Sequence, residues 1–216
     1  PHYTQHQEHI AMKTYLALGD SYTIGEGVDT QGRWPDRLVE GLNEAGCGIS
    51  EPLIIARTGW TTAELNAGMD EAGVTGTFDM VSLLIGVNNQ FRGLDSGSYR
   101  LELRALLQRA IDLAGENATR VMVVSIPDYG VTPFGLTRDP ERIAREIDAF
   151  NGIKRDESER AGASWVDVTE ISRRAATEPE LIAADQLHPS AEMYALWVKE
   201  IIPVARKIVC STSVKP

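Results

Sequence analysis

The sequence predicts a three-layer α/β/α sandwich around a five-stranded parallel sheet, on three observations. Five short apolar runs lack the period-two alternation of half-exposed strands and read as strands buried on both faces. Amphipathic stretches with helical spacing alternate with them along the chain. Crossovers between parallel strands are right-handed, which places helices on both faces of the sheet. The expected strand order is 2-1-3-4-5.

The first strand is the run Tyr15-Leu16-Ala17-Leu18, which breaks at Gly19 into the polar Asp20-Ser21-Tyr22-Thr23. Residues 20–32 read as one long loop. Trp34, Leu38, Val39 and Leu42 share one face of the following helix, with Pro35 in its first turn and Gly46 and Gly48 beyond its end. Leu53 to Ala56 is the second strand. Thr61 and Glu64 have the spacing of a capping box, so a helix starts at Thr61 and Gly59 falls between strand end and helix start. Phe78 to Ile85, the most hydrophobic run, is the third strand and ends in Gly86-Val87-Asn88-Asn89-Gln90. Leu103, Leu106, Leu107, Ala110 and Ile111 mark the next helix, and residues 120–126 the fourth strand, stopped by Pro127. Residues 128–139, with Gly130, Pro133 and Gly135, read as a binding loop. Ile143, Ile147, Phe150 and Ile153 define a helix, residues 164–168 the fifth strand, and residues 172–187 a less regular segment. Met193, Trp197, Ile201, Val204 and Ile208 give the last helix, with Ser190 as its N-cap. The whole reads as a flavodoxin-like order of elements.

Hydrophobic residues make up 43% of the 216, enough for a sizeable core in one domain, expected over residues 13–209. Lys plus Arg is 21 against 31 for Asp plus Glu, a formal charge of −10. That balance speaks against a nucleic-acid or anionic-membrane surface, both of which need basic patches. No apolar run is long enough to span a membrane. Residues 1–12 are polar, hold His2, His6 and His9, and are expected to be a disordered leader; residues 210–216 read as a tail. No signal peptide is visible, which leans towards a cytoplasmic setting, although a cleaved signal would leave the same sequence. Cys47 and Cys210 are too few for a disulfide framework and lie outside any CxxC spacing, so no metal site is expected. Whether the two pair is open at this level, as is the oligomeric state.

Ser21 follows the first strand almost at once, and the carboxyl ends of parallel strands are where ligands bind. A serine nucleophile needs a general base and an orienting carboxylate. Beyond the leader, His188 is the sole histidine, and Asp185 stands three residues before it. One turn of chain brings Asp185 to Nδ1 and leaves Nε2 for Ser21. Acyl transfer also needs donors aimed at the developing oxyanion. The strand-end loops supply three: the amides of Ser21 and Gly59 and the side chain of Asn88. Read singly, these are also an ordinary loop histidine, a turn glycine and a loop cap; their joint placement carries the reading. A rival is a flavodoxin-type phosphate or flavin site, with Ser21, Thr23 and Gly25 as a hydroxyl-rich loop, which Asp20 and Glu26 would oppose by charge. Another is a catalytically silent interaction module.

Together these residues resemble the SGNH/GDSL hydrolase family. Its first block is Gly-Asp-Ser, here Gly19-Asp20-Ser21; its second carries a glycine after the second strand, here Gly59. Its third is Gly-x-Asn-Asp, here Gly86-Val87-Asn88-Asn89, and its last is Asp-x-x-His, here Asp185 and His188. Two positions depart. Tyr22 stands for the leucine of Gly-Asp-Ser-Leu, a packing position, and Asn89 for the aspartate of the third block, removing a loop carboxylate. Thr23 stands where a Gly-x-Ser-x-Gly elbow needs its second glycine, which argues against the α/β-hydrolase fold. The resemblance implies an esterase or acylhydrolase without cofactor or metal. Its catalytic residues would be Ser21, Asp185 and His188, its oxyanion donors Ser21, Gly59 and Asn88, and its substrate a small ester. Short-chain esters, lysophospholipids and acetylated sugars all fit.

Overall fold

The computed structural model describes residues 11–210. The leader histidines, and residues 211–216 of the tail, lie outside that range. β1 (Tyr15–Gly19) is buried along its whole length. Then follow α1 (Ser21–Ile24), α2 (Trp34–Glu44), β2 (Leu53–Ala56), α3 (Thr62–Ala72), β3 (Met80–Leu84), α4 (Val87–Phe91) and α5 (Ser96–Leu113). The second half runs β4 (Val121–Val124), α6 (Pro133–Leu136), α7 (Pro140–Ala161), β5 (Ser164–Val166), α8 (Thr169–Arg173) and α9 (Ala191–Val209). The strands form one sheet in the order β2-β1-β3-β4-β5, every pair parallel. α2 packs against α9, while α5 packs against both α3 and α7, so the sheet is covered on both faces.

The core binds these layers. Trp34 of α2 and Trp197 of α9 are fully buried, and the Trp34 indole donates to the Tyr22 carbonyl at 2.8 Å. That bond ties the turn after β1 to the helix that follows it. Register does the rest of the positioning. Gly19 pairs with Ala56 on one side and Leu84 on the other, so three strands end at one level. Ser21, Gly59 and Asn88 leave those ends within a few residues. Gly19 must be glycine: a Cβ there would stand 2.7 Å from the Leu84 carbonyl oxygen.

Two segments expected to be loops hold local structure. Residues 20–32 contain α1 and a 3₁₀ turn at Thr30–Gly32. Asp20 is the reason for α1, since its side chain accepts the Tyr22 amide and caps the turn. Residues 128–139 contain a 3₁₀ turn at Tyr129–Val131 and α6, each started by a side-chain cap, from Asp128 and Thr132. Such caps are too short to register as periodicity.

Cys47 and Cys210 form a disulfide, with Cα atoms 4.9 Å apart across a sequence separation of 163. It fastens the end of α9 beside the end of α2. A disulfide typically stabilises a fold by about 2–4 kcal/mol. Replacing both cysteines with alanine should therefore lower Tm by roughly 4–16 °C. A calorimetric scan showing no shift would mean that the packing of α2 on α9 already holds the chain end. Among the described residues, no helix is long and apolar enough to cross a membrane.

Candidate active site

Ser21 is the first residue of α1, at the carboxyl end of the central strands, and is 4% exposed. It lines a cavity of about 150 Å³ that also receives Gly59, Asn88 and His188. His188 arrives on the loop before α9. An antiparallel bridge between Ile182 and Pro189 closes that loop, and the Ala183 amide donates to the His188 carbonyl at 2.8 Å. Gln186 takes a left-handed conformation, φ 65°, to turn the chain between Asp185 and His188. Asp185 Oδ1 then accepts the amides of Leu187 and His188 at 3.0 and 2.9 Å, while Oδ2 lies 2.6 Å from His188 Nδ1. Burial raises the Asp185 pKa. The His188 amide, the imidazole and the Leu187 amide outweigh it and hold the carboxyl below the usual range. The structure brings Ser21 and His188 to one cavity, with no hydrogen bond between hydroxyl and imidazole among the described residues. Such contacts commonly tighten only with substrate in place.

Gly59 has φ 89°, a conformation that a side chain would strain. Its carbonyl accepts from Arg92 at 2.6 Å, and Arg92 also pairs with Glu64, the capping-box residue of α3. The neighbouring Trp60 carbonyl accepts from Asn88 Nδ2 at 2.9 Å. Both carbonyls of this turn are thus engaged. The Gly59 amide donates to no other group among the described residues, and the second hydrogen on Asn88 Nδ2 remains for the cavity.

The remaining walls are Thr58, whose hydroxyl donates to Glu26 at 2.7 Å, and an apolar surface of Val87, Leu187 and the rings of Tyr22, Phe91, Tyr129 and Phe134. Phe91 meets Tyr129 edge-on at 6.1 Å, and Arg138 lies over Phe91 and Phe134 at 5.1 and 4.7 Å. The Tyr129 hydroxyl donates to Gln90 at 2.9 Å, and Gln90 to Glu146 at 2.6 Å. Thr23 is buried inward, against Gly19, and so does not join Ser21 in the hydroxyl-lined loop that a phosphate site would need.

Residues 17–196 match the profile of the GDSL-like Lipase/Acylhydrolase family. The chain belongs to that family. Its fold and family are those of carboxylic ester hydrolases. No curated protein sequence matches the chain. Among solved structures it is similar to TesA, with a TM-score of 0.71 at 19% identity over 91% of this chain and 99% of that one. A psychrotrophic esterase, EstA from Pseudoalteromonas sp., aligns at 0.65 and 19% identity over 90% of this chain and 97% of its own. Axe2, an acetylxylan esterase from Geobacillus stearothermophilus, aligns at 0.69 and 18% identity over 89% and 94%. At such identities the likeness concerns the fold.

The two departures of this GDSL-like chain from the family pattern have physical accounts. The Tyr22 ring packs edge-on against the His188 imidazole at 5.9 Å and tilted against Trp197 at 6.2 Å, so it is a packing residue beside the cavity. Asn89 is buried, accepts the Thr62 amide at 3.1 Å and donates to Thr62 Oγ1 at 2.8 Å. The Thr62 hydroxyl spends its own proton on Glu102. A donor is therefore needed opposite it, which an amide supplies and a carboxylate does not. Asn89→Ala should cost about 1–3 kcal/mol of stability by leaving Thr62 unpaired, with kcat changed far less than by a change at Asn88. Urea unfolding beside steady-state kinetics checks this; a large kcat loss at unchanged stability would place Asn89 in the chemistry. The sequence marks residues 90–92 and 129–136 as variable loops that set specificity, but it does not show the contacts Arg92 to Gly59, Thr62 to Asn89 and Gln90 to Glu146. The one available signal was Arg92, one helical turn after Asn88.

Proposed function

We propose that this chain is a serine esterase acting on small carboxylic esters. The observation that carries the reading is the convergence of Ser21, Gly59, Asn88 and an Asp185-paired His188 on one cavity. His188 Nε2 takes the Ser21 proton as Oγ attacks the ester carbonyl. Asp185 holds Nδ1–H and stabilises the imidazolium. The oxyanion is met by the Ser21 and Gly59 amides and by Asn88 Nδ2. His188 then protonates the leaving alcohol, and water repeats the sequence to free the acid. The aromatic wall favours an apolar acyl or aryl group, and the cavity volume favours a short one. The Cys47–Cys210 bridge supports an oxidising compartment over the cytoplasmic leaning of the sequence.

An organophosphonate ester is the direct test. It should add once per chain, at Ser21, and peptide mass mapping should find it there. A p-nitrophenyl ester series should show kcat/KM highest for short acyl chains. Adduct on another residue, or none in protein that hydrolyses esters, would remove Ser21 from its role.

A further inference from the structure

Two ionisable side chains of opposite sign are sealed behind Ser21. Asp20 and Lys154 are both 0% exposed. Asp20 Oδ1 accepts the Tyr22 amide at 3.0 Å, at the N-cap of the turn that Ser21 begins. Asp20 Oδ2 and Lys154 Nζ have no hydrogen-bond partner among the described residues.

The fold delivers Lys154 to this end of the sheet. It lies on the buried side of α7 with Ile147, Phe150 and Asn151. The Phe150 ring packs on Tyr99 with centroids 4.7 Å apart, and the Tyr99 hydroxyl donates to the Ile85 carbonyl at 3.0 Å. Leu84 pairs with Gly19, so Ile85 leaves β3 beside the point where Asp20 leaves β1. Glu157, the next acid on that side of α7, is taken by Arg100 and Arg104. Burial pushes Asp20 up to about 7 and Lys154 down to about 7; the Tyr22 amide and the Lys154 charge offset that shift only in part for Asp20, as the Asp20 charge does for Lys154. The other groups coupled to Asp20 are the hydroxyls of Tyr22 on α1, Tyr99 on α5 and Tyr194 on α9, all kept neutral by burial. The two make no direct ion pair among the described residues, and Lys154 is the cation whose charge acts on the buried carboxylate.

Negative charge develops next to the Ser21 amide during acyl transfer. A bare carboxylate just behind that amide would repel it. A protonated Asp20 would instead weaken the cap, because charge-assisted hydrogen bonds are the stronger ones. A counter-charge avoids both.

We propose that Lys154 is a positioning residue for the reaction: its ammonium keeps the Asp20 carboxylate charge-balanced, and Asp20 in turn fixes the Ser21 turn. The proposal rests on the serine-esterase reading of the site. It is tested by kcat and KM for p-nitrophenyl acetate in the native protein, Lys154→Met, Asp20→Asn and the double variant. Lys154→Met should lower kcat by about tenfold, less than loss of a direct oxyanion donor, with KM nearly unchanged. In the Asp20→Asn background, Lys154→Met should have no further effect, because the charge it answers is gone. Native kcat in Lys154→Met would overturn the proposal. So would equal losses in both backgrounds, since a packing role does not depend on the carboxylate. Should Lys154→Met alone fail to fold, the double variant against Asp20→Asn still decides: equal kcat supports the proposal and a further drop overturns it. Native protein without ester turnover, or an active Ser21→Ala, would sink the esterase reading instead.

Discussion

Ser21→Ala should give a folded protein whose ester turnover is lower by on the order of a million-fold. The size follows from the mechanism: without Oγ there is no acyl-enzyme, and the imidazole, carboxylate and oxyanion donors have no nucleophile to serve. What remains is the small rate given by binding and oxyanion stabilisation alone. The fold should not notice, because the turn is capped by Asp20 through the Tyr22 amide and alanine suits a helical first position. Circular dichroism and Tm should match the native protein, while p-nitrophenyl acetate hydrolysis falls to background. Turnover within tenfold of native in a folded Ser21→Ala sample would end the mechanism. A related expectation concerns pH. Acidification should lower kcat/KM, because an imidazolium has no lone pair for the Ser21 proton. Asp185 is held below the usual carboxylate range and stays ionised there. Asp185→Asn should therefore lower the plateau without removing the acid limb; an Asp185→Asn profile that lost that limb would show the carboxylate to be the titrating group.

Asn88→Ala should lower kcat by on the order of a hundred- to a thousand-fold with KM little changed, about 3–4 kcal/mol of transition-state stabilisation. The split follows from geometry. The carbonyl oxygen becomes charged only in the transition state, so the donor acts there more than on the bound ester. The structure adds a second consequence. Asn88 also holds the Trp60 carbonyl, beside Gly59, so its loss loosens the turn that presents the Gly59 amide. Asn88→Asp keeps the shape but loses both donors and puts a negative acceptor against the oxyanion. It should be at least as damaging as Asn88→Ala. Native kcat in both variants would leave the oxyanion to backbone amides alone and remove Asn88 from the hole. A loss shared between kcat and KM would instead point to the Trp60 contact as its main role.

The sequence by itself determined the class of architecture and singled out the candidate site positions. Unbroken apolar runs and helical periodicity are local signals, and they were enough for five parallel strands between helices; the order β2-β1-β3-β4-β5 was expected only by analogy with a flavodoxin-like arrangement, and the sheet has it. Ser21, Gly59 and Asn88 could be singled out because each follows a strand end, and His188 because no other histidine stands between residues 10 and 216; the fold brings all four to one cavity. The capping box at Thr61 and the N-cap at Ser190 were legible for the same reason, being contained within one turn of chain. Contacts between distant segments were not. The Cys47–Cys210 bridge spans 163 residues, and nothing local marks it. Asn89 looked like a lost carboxylate until Thr62, brought from the preceding helix, showed why an amide is needed there. Arg92 became a support for Gly59 only once α4 lay beside the β2 end. Lys154 reads in the sequence as one more helix lysine, and only burial behind Asp20 sets it apart. Spacing along the chain encodes what a residue does to its own turn. What a side chain does to another strand's loop is decided by register and helix packing, which exist only in the folded molecule.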